Sequence, residues 1–114
     1  MTEYNVIGLM SGTSLDGVDL AYCHFSEKDD KWDFQIHVAE TIPYNDFWKD
    51  TLQKVAYFNA EDFFKTHVKY GHLLGKLAND FIQKNKLSSD FIASHGHTIF
   101  HQPQVGFTCQ MGDG

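Results

Sequence analysis

Apolar and polar positions alternate in two rhythms along this chain. The first apolar run, Val6-Ile7-Gly8-Leu9-Met10, gives way to Ser11-Gly12-Thr13-Ser14, turns at Asp16-Gly17 and resumes through Val18, Leu20, Ala21, Tyr22 and Phe25. Two apolar runs around an Asp-Gly turn predict a hairpin of strands over residues 3–10 and 18–25, because Asp-Gly tolerates positive φ. Residues 26–31 read as a charged turn. Over residues 32–42, Trp32, Phe34, Ile36 and Val38 alternate with Asp33, Gln35, His37 and Ala39. Period two over that length predicts a third strand with one wet face. The short connections imply a meander of three strands.

After Pro43 the rhythm changes. Phe47, Thr51, Leu52 and Val55 have helical spacing and predict a short helix over residues 46–56. Asn59 is placed to cap a longer helix, with Glu61 and Asp62 at its positive end. Phe63, His67, Tyr70, Leu74, Leu77 and Phe81 recur at steps of 4, 3, 4, 3 and 4. A parallel stripe carries Phe64, Val68, Gly71, Gly75, Ala78 and Ile82, so the two together predict a wide apolar face packed on a sheet. Gly71 and Gly75 each cost a helix about 1 kcal/mol relative to Ala, which points to close backbone approach as compensation. Lys84 and Lys86 suit the negative end. Phe91-Ile92-Ala93-Ser94 then reads as a short buried strand returning by a parallel crossover, and residues 107–111 as another short strand. The fold class is α/β, in β-β-β-α-α-β order.

Composition narrows the partners. The 114 residues are of single-domain size, and 42% hydrophobic content with 10 Phe residues can fill a modest core. A net charge of −6 argues against a nucleic-acid or anionic-membrane surface. No basic segment precedes an apolar one at the N-terminus, and no run approaches membrane-spanning length. Cys23 and Cys109 form no CxxC pair; two free thiols in a reducing compartment is the favoured reading, with a single disulfide as the alternative. Met111-Gly112-Asp113-Gly114 is a turn or helix-start signal, which leads us to expect a piece of a longer protein.

The Gly12-to-Asp19 turn gathers backbone N–H groups and hydroxyls where glycines leave them accessible, a setting that phosphate oxygens favour. It has neither the spacing nor the lysine of a Walker A loop, and its glycines are not spaced as in a dinucleotide fingerprint. An ordinary hairpin loop is the competing reading. Thr13 and Ser14 could donate to a γ-phosphate, with Gly12 and Gly17 giving backbone access. Asp16 could hold Mg²⁺ through water, since that ion takes few carboxylates plus waters and phosphate oxygens. Asp19 could equally pair only with the turn. His95-Gly96-His97-Thr98 follows the fourth strand, where open α/β sheets collect their sites. His95, His97 and His101 lack the cysteine or carboxylate that would complete a familiar zinc signature. Their imidazoles, with Ser94 and Thr98, better suit a polar ligand such as a sugar.

Met10-Ser11-Gly12-Thr13-Ser14-Leu15-Asp16-Gly17-Val18-Asp19 resembles the signature of the anhydro-N-acetylmuramic acid kinases, bacterial enzymes of cell-wall recycling. Ser94-His95-Gly96-His97-Thr98-Ile99-Phe100-His101-Gln102-Pro103 and Thr108-Cys109-Gln110-Met111-Gly112-Asp113 resemble the same family, in the same order. The resemblance runs from Val6 to the last residue and covers only the N-terminal part of the family's longer chains. It implies one lobe of an actin/hexokinase-like (ribonuclease H-like) ATPase fold, with the second lobe outside these residues. It implies ATP and Mg²⁺ as cofactors, a small sugar substrate, a cytoplasmic location and no nucleic-acid or membrane partner; a homodimer is an accompanying expectation. The ATP phosphates would meet Gly12, Thr13, Ser14, Leu15, Asp16, Gly17, Val18 and Asp19. The sugar would meet Ser94, His95, Gly96, His97, Thr98 and His101, with Asp16 on the metal and the catalytic base elsewhere in the parent protein. The alternative is a non-catalytic nucleotide- or sugar-binding module.

Overall fold

The computed structural model describes residues 2–11, 15–102, 104 and 106–112, with backbone alone at 100–102 and 107–108. Five strands form one mixed sheet: β1 (Thr2–Ser11), β2 (Gly17–Lys28), β3 (Lys31–Pro43), β4 (Phe91–Gln102) and β5 (Phe107–Met111). Two helices, α1 (Asp46–Lys54) and α2 (Ala60–Asn85), lie between β3 and β4. The spatial order is β3-β2-β1-β4-β5. Among the described residues only β1 and β4 pair in parallel; every other neighbouring pair is antiparallel. Among the described residues no helix is long and apolar enough to cross a membrane.

The helices cover one sheet face. Ile7 and Leu9 of β1 and Val18 and Leu20 of β2 pack there against Trp48, Leu52, Tyr70, Leu74, Ala78 and Phe81. Asn45 and Asn59 cap α1 and α2, their side chains accepting from the N–H groups of Trp48 and Asp62. Each cap satisfies a donor that the helix itself leaves free, worth about 1 kcal/mol. Lys86 ends α2 in the left-handed conformation.

Several expectations change. The first helix stops at Lys54, and Val55–Tyr57 tightens into a 3₁₀ turn, so residue 56 is not α-helical. The charged turn shrinks to Asp29-Asp30, both at positive φ (54° and 62°), and β2 runs on through Lys28. Such a two-residue turn suits the twist of a hairpin. The fourth strand does not end at Ser94 but continues to Gln102, because β5 pairs with its second half.

The apolar face of α2 is core only over its later turns: Tyr70, Leu74, Ala78 and Phe81, drawn from both stripes, are buried and Ile82 packs against them, while Phe64 and Val68 are exposed. Gly75 has open space where its side chain would be, so close approach does not explain it. Gly71 and Gly75 instead border an apolar groove of about 370 Å³ between α2 and Leu9, Ile92 and Ser94.

On β3 the expected grouping of Val38 with Trp32, Phe34 and Ile36 breaks. Val38 faces Tyr22 and Ile36 faces Cys23, so His37 is an extra residue and the alternation inverts there. Val38 packs on the helix-covered core. Trp32, Phe34 and Ile36 are exposed on the opposite face, where Tyr4 stacks on Trp32 and Phe25 on Phe34. Cys23 and Cys109 are free, on strands separated by β1 and β4.

Candidate functional site

The end of β1 and the histidine segment of β4 are neighbours because β1 and β4 run in parallel, with Ser11 opposite His97. Their register shifts between Leu9 and Ser11: Leu9 faces Ser94, yet Ser11 faces His97. Two steps on β1 thus match three on β4. Gly96 takes up the extra residue at φ 73°, a left-handed conformation natural to glycine. A Cβ there would lie 2.6 Å from the carbonyl oxygen of Met111, so the close approach of β5 also requires glycine. The consequence is chemical. Ser94 and His97 both turn toward the helices, whereas regular alternation would have sent His97 to the other face.

His97 is buried, and its Nδ1 lies 2.9 Å from the Ser11 hydroxyl. The Tyr44 hydroxyl donates to Ser11 Oγ at 2.6 Å, and the Tyr44 and Tyr70 hydroxyls are 2.6 Å apart. The Tyr70 ring meets the His97 ring edge-on at 6.3 Å. Burial holds His97 below the usual imidazole pKa and raises Tyr44 and Tyr70 above the usual phenol value. All are therefore neutral near pH 7. Tyr44 also ties down the bend, its N–H donating to the Asp16 carbonyl at 3.4 Å. The Gly112 N–H donates to His67 Nδ1 at 3.0 Å, anchoring the end of β5 on α2.

Other candidate residues separate by face. Gly12, Thr13 and Ser14 lie outside the described residues. Leu15 has φ 60° and packs against the core; Asp16 is exposed at the bend; Gly17 and Val18 are buried at the start of β2. Asp19 is exposed on the uncovered sheet face and accepts from the Thr41 hydroxyl. His95 is exposed, with the Gln110 amide donating to its Nε2 at 2.9 Å. Asp19 and His95 border one open hollow of about 500 Å³ with Gly8, Met10, Ala21 and Ala93. Ser94 is exposed between that hollow and the apolar groove, and Thr98 is half-buried. For His101 only the backbone, within β4, is described. Among the described residues no three metal-capable side chains cluster.

Sequence reasoning did not single out Tyr44 or Tyr70 as site residues. The available signal was a tyrosine on an apolar helix stripe, since a buried phenol requires a polar partner.

A family model described as Anhydro-N-acetylmuramic acid kinase matches residues 4–114. The chain belongs to that family. Proteins named anhydro-N-acetylmuramic acid kinase are similar to it along nearly its whole length. The one from Microcystis aeruginosa is 35% identical over 120 residues, covering 96% of this chain and 30% of that protein. The one from Acinetobacter baylyi is 34% identical over 113 residues, covering 94% and 28%. The one from Francisella tularensis subsp. novicida is 35% identical over 128 residues, covering 99% and 33%. The chain thus spans about a third or less of these relatives of the anhydro-N-acetylmuramic acid kinase family.

Proposed function

We propose that these residues are the N-terminal lobe of a longer kinase that converts 1,6-anhydro-N-acetylmuramic acid, ATP and water to N-acetylmuramic acid 6-phosphate and ADP. The lobe belongs to the actin/hexokinase-like, ribonuclease H-like class of ATPase folds. The observation that supports the reading is the parallel register of β1 and β4, which sets Ser11, the last residue of β1, opposite His97. Membership of the kinase family supplies the chemistry to place there.

In this reading the bend over residues 12–17 offers backbone and hydroxyl donors to the ATP phosphates. Such donors, fixed before reaction, stabilise charge as it shifts during phosphoryl transfer. The donor set fits Mg²⁺: Asp16 is a single exposed carboxylate at the bend, suited to a hydrated ion that takes its remaining ligands from phosphate and water. Bound there, the ion neutralises phosphate charge. Asp19 and His95, which border one hollow, together with Ser94 and Thr98, are the polar groups offered to the sugar. Opening the sugar forms a bond from water to C1 as C1–O6 breaks; O6 bonds to the γ-phosphorus as ADP leaves. The base that takes the water's proton lies in the rest of the parent protein. In this reading the enzyme works in the cytoplasm, where ATP is supplied.

The test is ATP-dependent product formation by the full-length protein from the anhydro sugar, with ordinary N-acetylmuramic acid as control. A variant combining Asp16→Asn with Thr13→Ala is expected to lose about a hundredfold or more in kcat/KM, the scale seen when a donor to the reacting charge is removed. Unchanged kcat/KM would overturn the assignment of the bend.

A further inference from the structure

The buried hydroxyls have a direction. Tyr44 donates to Ser11, so its oxygen is left to accept from Tyr70. Ser11, already accepting from Tyr44, has its own hydrogen free for His97 Nδ1 at 2.9 Å. Every hydroxyl hydrogen then has an acceptor, provided that Nδ1 carries no proton. The alternative tautomer would aim two donors at Ser11 Oγ and leave the Ser11 hydrogen without its acceptor. A protonated His97 imposes the same conflict. The chain would have to reverse, and the last hydrogen, on Tyr70, would need a new buried acceptor.

We propose that Tyr70, Tyr44, Ser11 and His97 are positioning residues: a one-directional hydrogen-bond chain that fixes the phosphate bend against the sugar strand, and that holds only while His97 is neutral. The activity part rests on the kinase reading above; the chain itself does not. Geometry makes the link physical. Ser11 is the last residue of β1 before the bend, Tyr44 also holds the Asp16 carbonyl, and His97 lies between His95 and Thr98 of β4. Tyr70 ties all three to α2, so a broken chain frees the bend from both strand and helix. Among the described residues few other titratable groups face the imidazole. β1 presents Ser11, α2 presents Tyr70, the segment after β3 presents Tyr44, and β5 presents Met111 opposite it in the sheet. His67 of α2 is engaged by Gly112, and His95 by Gln110. The depressed pKa of His97 agrees with a neutral ring at working pH.

The test has two arms on the full-length protein. Nitrogen-15 NMR of the histidine rings should show His97 with Nδ1 unprotonated and Nε2 protonated at neutral pH. A protonated Nδ1 would overturn the chain's direction and with it the proposal. Kinetics supply the second arm, with His97→Gln, which keeps a hydrogen-bonding side chain but does not titrate here. Once pH falls far enough to protonate His97, which burial moves below the usual imidazole value, wild-type kcat/KM for ATP should fall up to about tenfold per pH unit more steeply than that of His97→Gln. A purely structural imidazole would give parallel profiles, and parallel profiles refute the positioning role. Absence of turnover at any pH would remove the kinase reading, and the ring's tautomer would then decide the chain alone.

Discussion

Gly17→Ala will force open the pairing of β2 with β3 at the end that carries the bend. An added Cβ would lie 2.2 Å from the Ile42 carbonyl oxygen and 2.8 Å from both the Ile42 carbonyl carbon and Pro43 Cα. All three are backbone atoms of the neighbouring strand, so no side chain can rotate away. Strand must part from strand, and the buried Val18 beside it moves as well. Overpacking of this kind costs about 3 kcal/mol or more, which for a domain of this size lowers Tm by roughly 10 °C. Thermal unfolding of the variant measures it. Gly75→Ala is the matched contrast, since its Cβ would meet nothing within 4 Å and α2 would gain helix propensity of about 1 kcal/mol. A Gly17→Ala protein as stable as wild type would mean that the strands are not this close.

Phe81→Ala is the second large effect. Its ring is 1% exposed, packed in the cluster that joins α2 to β1 and β2. Truncation removes most of a phenyl group from a site that two secondary structures hold apart, so the cavity cannot fully collapse. The expected loss is about 3–5 kcal/mol, a large share of the roughly 5–15 kcal/mol by which domains are stable. Phe64→Ala, at a residue 64% exposed, should change stability by less than about 0.5 kcal/mol. Denaturant titration of the pair separates the buried positions of α2 from its exposed ones. Similar losses for both would contradict the orientation of the helix.

Periodicity and end signals made much of this architecture legible before any coordinates. The β1–β2 hairpin and the Asn59 cap are local features, and each lies where its residues predict; the positive φ expected at Asp16-Gly17 falls instead at Leu15, with Gly17 already in β2, and the predicted alternation of β3 holds only as far as Ile36. What escaped depends on contacts distant in sequence. Phe64 and Tyr70 belong to parallel apolar stripes, and only the placement of the sheet decides that Tyr70 is buried and Phe64 is not. The extra residues at His37 and Gly96 are one-residue insertions, which invert a strand's faces without altering its average pattern. Gly96 was visible as a residue, but its partner, the Met111 carbonyl, was not. The polar His95-to-Thr98 stretch looks like a loop because strand β5, which extends the sheet there, lies beyond it in sequence. For the candidate site, sequence named the two segments; their register, and the tyrosines beneath them, required the fold.

The parallel pairing of β1 with β4 also dictates the order of assembly. Partners such as Val6 and Phe91 are far apart along the chain, and the Ser11–His97 bond spans 86 positions. The β1–β2–β3 meander can close early through nearby residues, whereas this central seam must await α2 and bear the entropy of a long loop. On an emerging nascent chain this seam therefore closes after the meander, and the edge of β1 stays uncovered until β4 arrives.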